Sequence, residues 1–335
     1  DLRQPQFRGM PSFLAMGLQR MLPLALLSCA MGLRQRARAL AVRGGGRQEP
    51  SHTAHLNYQE PHPELATGRY IDREDEGDVV DTVSPQPVEM RDARQLDEPA
   101  TLEHMGFCLE KHPTAVRDFR DDKAVGEIYY EEVRELVKRT SGASRVFVFD
   151  STIRETGVKN LNAAAGGAAA PVPRVHCDYT HEGAPRRLRQ LGERGIFSHL
   201  KKRQMTTEEV DALAAGRYAF INVWRSIDKE NAVARSPLAV CDEASVDPDE
   251  KFKYELRFPD RTGETYSLRH SEKHKWYWYP GMSHDECLVF KCFDKRKDST
   301  RFTFHTAFDD PSTTEASPPR QSIEVRTIAF FDDQG

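Results

Sequence analysis

From Tyr218 to its end the chain is a succession of short alternating segments. They are YAFINVWRSI, SPLAVCDEASV, KYELRFPD, ETYSLRH, KWYWYPGM, ECLVFKCFD, RFTFH and QSIEVRTIAFF. Apolar and polar residues swap with period two, and punctuation such as Asp260-Arg261-Thr262-Gly263 separates the runs. Many short strands at steady spacing bury their faces only by closing on one another or by stacking as two sheets, so the fold class is mainly β, a barrel or sandwich with helical additions. At 335 residues the chain has ample material for one such domain.

The helices come earlier. VGEIYYEEVRELVKRT carries apolar residues at helical spacing, with Asp121 or Asp122 placed to cap its start and Gly142 just past its end. SRVFVFD follows as a strand. APRRLRQLGERG reads as a short basic helix, and TTEEVDALAAG opens with the Thr…Glu pattern of a capping box. Between Val158 and Arg174 lies an Ala/Gly run with little to pack, expected as a flexible loop beside the site mouth.

Chemistry concentrates in two places. His176-Cys177-Asp178 sets an imidazole and a carboxylate two residues apart, on one face of an extended segment, with Cys177 turned away as a packing residue. Far downstream lie His305 and then Arg320-Gln321-Ser322, fifteen residues after that histidine. Two imidazoles and one carboxylate on one face of Fe(II) leave positions for a bidentate keto acid and O2. The far carboxylate of 2-oxoglutarate then needs a permanent cation with a planar fork, which Arg320 supplies, and Ser322 faces the same way. This is the order of parts in a double-stranded β-helix (jelly-roll or cupin-like) oxygenase. His62-Pro-Glu64, His270-Ser-Glu272 and His284-Asp-Glu286 match only a looser form of the motif. His274 is the rival third ligand; His305 is preferred because no arginine falls within the twenty residues after His274. Arg225, in Asn222-Val-Trp224-Arg225, is a second candidate for a keto-acid or substrate carboxylate, with a buried structural ion pair as the alternative. Trp276, Tyr277, Trp278 and Tyr279 offer surface for a flat substrate, one alternating pair facing inward. Asp309 and Asp310 shape the turn before Pro311.

Composition bounds the partners. Lys plus Arg number 48 and Asp plus Glu 52, a net charge of −4 with no basic field, which argues against nucleic acid. The expected partner, on the reading of the His-x-Asp, His and Arg-x-Ser residues above, is a small-molecule substrate, with no membrane association expected and an oligomeric state that the sequence leaves open. Cysteines at 29, 108, 177, 241, 287 and 292 form no C-x-x-C pair, which fits a reduced, cytoplasmic setting. Residues 1–50 hold recurrent arginines and no acid between Asp1 and Glu49, so they read as a disordered or transit-like segment, organellar if the latter, or as an incorrect start. Met21 to Met31 is too short to span a bilayer. Residues 51–99 read as an extended polar arm, and 100–335 as the oxygenase domain.

GASRVFVFDSTIR, VHCDYTHEGAPRR, INVWRSI, SPLAVCDEASV, HKWYWYPGMSHDECLVFKCFD and FHTAFDDPSTTEASPPRQSIEVR together resemble the AsaB-like hydroxylase/desaturase family, which includes cephem-methoxylase-related and gibberellin-desaturase-like proteins. The resemblance runs in order over about residues 54–332. It implies a non-haem iron, 2-oxoglutarate-dependent oxidoreductase of small natural products, hydroxylase or desaturase. Ser226 and the Ala/Gly insertion depart from the family pattern and bear on pocket shape. Two other readings remain: a cupin-like metal-dependent isomerase or hydrolase without a keto acid, and a non-catalytic binding member of the fold.

Overall fold

In the computed structural model the described residues are 51–71, 77–158, 168–191, 206–259 and 261–332. The arginine-rich segment 1–50, most of the Ala/Gly run and the end of the basic helix lie outside them. Among the described residues, fourteen strands form three sheets: β1 (Ser51–Gln59), β2 (Ala66–Tyr70), β3 (Val79–Val80), β4 (Val83–Asp92), β5 (Phe107–Lys111), β6 (Arg145–Glu155), β7 (Tyr218–Ser226), β8 (Leu238–Cys241), β9 (Lys251–Arg257), β10 (Thr262–Leu268), β11 (Trp276–Trp278), β12 (Glu286–Asp294), β13 (His305–Ala307) and β14 (Gln321–Phe330). The major sheets run β1-β4-β11-β8-β13 and β5-β12-β7-β14-β6, and a smaller sheet runs β10-β9-β2-β3. From β11 onward successive strands alternate between the two major sheets. That alternation is the winding of a double-stranded β-helix.

β7 is buried at every position. One of its faces, Phe220 and Trp224, joins the core between the major sheets, while Ile221 and Val223 join a second core under a helix. That helix begins at Asp122, capped by the Asp121 carboxylate, passes through a π turn at Val125–Tyr129, and continues as α1 (Tyr130–Ser141) to a left-handed Gly142. The π turn adds a residue to the helical repeat, and the consecutive side chains Tyr129 and Tyr130 are both buried. Leu136 of α1 is fully buried in this second core. Leu136→Ala should therefore lower unfolding free energy by about 2–5 kcal/mol in a denaturant titration. Two further helices are α2 (Gly183–Gln190) and α3 (Thr207–Ala215), the latter with the anticipated Thr206–Glu209 capping box.

Three expectations need correction. Residues 51–99 are not an arm: β1 and β4 pair along nine positions within a major sheet. Their alternation is real, since Ala54, Leu56, Tyr58, Val88 and Met90 are buried, but the intervening residues face outward and make the composition look polar. Pro85 and Pro87 sit where β4 pairs only with β1, because β11 joins β4 no earlier than Met90. A proline is tolerated on a strand edge with no partner for its missing N–H. Second, RFTFH is not a strand ending at His305; His305 opens β13. Third, the SPLAVCDEASV strand is only Leu238–Cys241, after which Asp242 caps a 3-10 turn.

Candidate metal centre

The backbone brings the two histidines together. His176 and His305 face each other as an isolated antiparallel bridge, with His176 N–H donating to the His305 carbonyl at 3.1 Å and His305 N–H to the His176 carbonyl at 2.8 Å. Residues paired in this way project their side chains to the same face, and the ring centroids lie 4.4 Å apart. Asp178, two residues on, shares that face. Its Oδ1 is 3.6 Å from His176 Nε2 and 3.8 Å from His305 Nε2. All three ligand atoms lie within 4.8 Å of one another, close enough for one ion to reach them. Cys177 points the other way, its thiol donating to the Cys292 carbonyl.

The remaining polar atoms of the triad are occupied in a way that leaves the metal-facing atoms free. His176 Nδ1 bonds the Arg174 carbonyl at 2.6 Å and His305 Nδ1 the Thr303 carbonyl at 3.0 Å. A carbonyl accepts only, so each Nδ1 carries the proton and each Nε2 keeps its lone pair. Burial, the His305 ring and Arg174 push the His176 imidazole well below the ordinary histidine range, so it stays neutral. Asp178 Oδ2 accepts from Asn222 Nδ2 at 2.9 Å and Arg326 Nε at 3.1 Å, leaving Oδ1 for an ion. Burial pushes this carboxyl up, but Arg326, the two imidazoles and Asn222 outweigh it and hold it below its ordinary value. The donor set fits a divalent ion: two neutral imidazoles and one carboxylate, each oriented by a second hydrogen bond.

Behind the triad lies a charge network on β14. Residues 320, 322, 324 and 326 alternate onto one face, and Arg320, Ser322 and Glu324 are buried. Arg326 binds Asp178, Asp150 and Glu324, the last at 2.9 Å, and Glu324 also accepts from Asn222. Arg326 and Glu324 were not anticipated as site residues. Their signal was present, as two charges two residues apart, Glu324 and Arg326, among the apolar residues of β14. Replacing Asn222 with Ala should weaken Fe(II) binding about 10–100-fold, read by anaerobic iron titration, because one of the two bonds aiming Asp178 is lost.

Arg320 is 2% exposed. Its Nε donates to Ser322 Oγ at 2.8 Å, its Nη1 to the Ser236 carbonyl at 2.9 Å, and its guanidinium lies 5.0 Å from the centroid of the Trp224 ring. Ser236 has φ 49°, a left-handed conformation that a non-glycine residue adopts at a cost, and its carbonyl is the one that meets Arg320. Among the described residues no carboxylate pairs with Arg320. Burial, and then the neighbouring Arg154, push its pKa down to about 9. A buried guanidinium anchored on one side and lacking an anion fits the distal carboxylate of a keto acid.

Other candidates fall elsewhere. Arg225 is three residues from Asn222 on a fully paired strand, so it faces the opposite side, under the helix. It donates to the His112 and His284 carbonyls and its guanidinium lies 5.6 Å from the Phe119 and Tyr129 ring centroids. Among the described residues it makes no ion pair, and it lies on the face of β7 away from the triad. His274 is engaged at both ring nitrogens, by Tyr58 Oη at 2.8 Å and Glu250 Oε2 at 2.9 Å, and belongs to no three-residue metal-ligating group found among the described residues. His274→Ala should retain iron and lose about 1–3 kcal/mol of stability, measured by metal content and denaturant unfolding, since a buried tyrosine hydroxyl loses a partner. Tyr277 and Tyr279 approach Phe107 on the second sheet, whereas Trp276 packs on Tyr58 and Trp278 on His52 and Phe308. Asp310 caps its turn by accepting from Ser312, as anticipated.

A family model described as an oxidoreductase/YMDC permease-like domain matches residues 56–330. The hydroxylase/desaturase CTB9 of Cercospora beticola is 34% identical over 255 residues, covering 70% of this chain and 72% of that protein. The chain belongs to the AsaB-like hydroxylase/desaturase family. A second relative, the alpha-ketoglutarate-dependent dioxygenase phiK of a fungal species, is 31% identical over 250 residues, 73% of this chain and 83% of that protein. The solved structure of the iron and alpha-ketoglutarate-dependent endoperoxidase NvfI superposes with a TM-score of 0.71 at 24% identity, covering 84% of this chain and 98% of that one. That likeness bears out the double-stranded β-helix fold. Among the described residues no helix is long and apolar enough to cross a membrane.

Proposed function

We propose that the chain is an Fe(II)- and 2-oxoglutarate-dependent oxidoreductase of a small, natural-product-like molecule, with iron held by His176, Asp178 and His305 and the keto acid by Arg320 and Ser322. The observation that carries this reading is the pairing of an oriented two-histidine, one-carboxylate set with a buried arginine that no carboxylate pairs with among the described residues. The relatives' names, hydroxylase/desaturase and alpha-ketoglutarate-dependent dioxygenase, support the same chemistry.

Iron bound there supplies O2 activation coupled to oxidative decarboxylation of 2-oxoglutarate to succinate and CO2. The chain's own residues do the rest. Thr303 and Arg174 carbonyls hold the imidazole protons on Nδ1, so both Nε2 atoms remain donors toward the ion. Asn222 and Arg326 fix the Asp178 carboxylate by its far oxygen. Ser322 and the Ser236 carbonyl aim the Arg320 fork, whose charge is neutralised only when a carboxylate arrives. The core aromatics Phe290, 4.8 Å from His305 between ring centroids, and Trp224 exclude water from that side.

The test is succinate formation. Iron-loaded protein given 2-oxoglutarate and O2 should release succinate, and the release should rise with the correct substrate from a natural-product library. A folded, iron-loaded protein that never consumes 2-oxoglutarate but isomerises or hydrolyses a library member would favour the cupin-like alternative.

A further inference from the structure

We propose that Arg69, Arg174 and Tyr254 form a seat for a carboxylate on the small-molecule substrate, next to the iron ligands and separate from Arg320. The inference rests on the reading of His176, Asp178 and His305 as the iron site.

Arg174 is two residues before His176, and its carbonyl holds the His176 ring. It is 7% exposed. Its guanidinium lies 3.9 Å from the centroid of the Tyr254 ring, and its one hydrogen bond among the described residues is a long 3.5 Å contact from Nη1 to Thr265 Oγ1. Its Nε is buried without a partner. Tyr254 is 0% exposed, and its hydroxyl has the Gln59 side chain as its hydrogen-bonding neighbour, a side chain it shares with Asp81 and Ser267. Tyr254 and Thr265 are a cross-strand pair of β9 and β10, and β2, carrying Arg69, lies along the other edge of β9. Arg69 acts electrostatically on both Arg174 and Tyr254, and its Nε is a third buried donor with no partner. Two unsatisfied guanidinium donors and a phenol stacked on one of them therefore lie on neighbouring segments beside the triad.

Arg326 shows what a settled buried arginine looks like: it has three carboxylates. The acid nearest to the Arg174 cluster in electrostatic effect, Asp81, is engaged with Gln59 and makes no ion pair with Arg69 or Arg174 among the described residues. A stack on a tyrosine ring offsets less than the desolvation of an unpaired cation. An arriving carboxylate satisfies the cluster: it accepts from the two guanidinium groups and the phenol at once, and matches the planar fork. The position then fixes the substrate by its charged end while its remainder extends toward the metal.

The experiment is a calorimetric titration of anaerobic, iron-loaded, 2-oxoglutarate-saturated protein with benzoate, and with benzamide as the neutral counterpart. Benzoate should bind saturably and benzamide should not. Arg174→Gln and Arg69→Gln should each weaken benzoate by about tenfold or more, and Tyr254→Phe, which deletes one oxygen and keeps the packing, by severalfold. Arg225→Gln, on the opposite face of β7, should leave benzoate affinity unchanged. The proposal is overturned if wild-type protein shows no saturable benzoate binding, if benzamide binds as well, if Arg69→Gln and Tyr254→Phe both bind like wild type, or if benzoate is displaced as 2-oxoglutarate is raised. Failure of the underlying iron reading shows differently, as wild-type protein that holds no iron at His176, Asp178 and His305 whatever benzoate does.

Discussion

Iron loaded anaerobically into Asp178→Ala protein should wash out on a desalting column that leaves wild-type protein fully loaded. Asp178 is the only anionic member of the triad, and without it two neutral imidazoles face a divalent ion. Losing even an outer partner of a ligand costs roughly 10–100-fold in metal affinity, so losing the ligand itself costs more. The fold should survive, because Arg326 keeps Glu324 and Asp150 as partners and Asn222 keeps Glu324. Asp178→Asn sharpens the point. Its side-chain oxygen can still accept from Asn222 and Arg326, but the charge is gone, so iron should be lost while stability stays near that of the wild type. Wild-type iron occupancy in either folded variant would exclude Asp178 as a ligand. His176→Ala should behave like Asp178→Ala.

Arg320→Ala should raise the apparent KM for 2-oxoglutarate by at least about thirtyfold while iron content stays at the wild-type level. Truncating the cation of a buried, hydrogen-bonded ion pair costs about 2–5 kcal/mol, much of it from stranding the anion. At about 1.4 kcal/mol per factor of ten, the lower bound already gives that ratio. Arg320→Lys should recover only part of the loss, since an ammonium cannot donate to both Ser322 and a bidentate carboxylate from one plane. Arg225→Gln is the matched control: it removes a buried guanidinium on the opposite face of β7, so it should lower stability and leave the KM for 2-oxoglutarate unchanged. If Arg225→Gln raised KM and Arg320→Ala did not, the cosubstrate seat would be misplaced.

The central strands of the second major sheet, β7, β12 and β14, were plain in the sequence because burial on both faces writes a dense run of apolar residues. The triad was legible because strand alternation sends His176 and Asp178 to one side and Cys177 to the other. What brings His305 to them is a bridge between segments far apart in the chain, which no local pattern records. β1 and β4 were hidden by the same periodicity read on a half-exposed ribbon, where Pro85 and Pro87 look like linker residues unless the free edge beside them is known. Arg225 shows a different failure. Alternation alone places Asn222 and Arg225 on opposite faces, and treating Asn-Val-Trp-Arg as one cluster overrode it. Arg326 was missed because an arginine inside a strand reads as solvated until its three carboxylates are seen around it.

The most direct test of the whole account is a crystal structure of the anaerobic complex with Fe(II) and 2-oxoglutarate. The account predicts iron bonded to Nε2 of His176, Nε2 of His305 and Oδ1 of Asp178, with the distal carboxylate of 2-oxoglutarate on Arg320 and Ser322. Iron at the His274–Glu250 pair, or the keto acid's distal carboxylate at Arg174 and Tyr254 with Arg320 left bare, would contradict it.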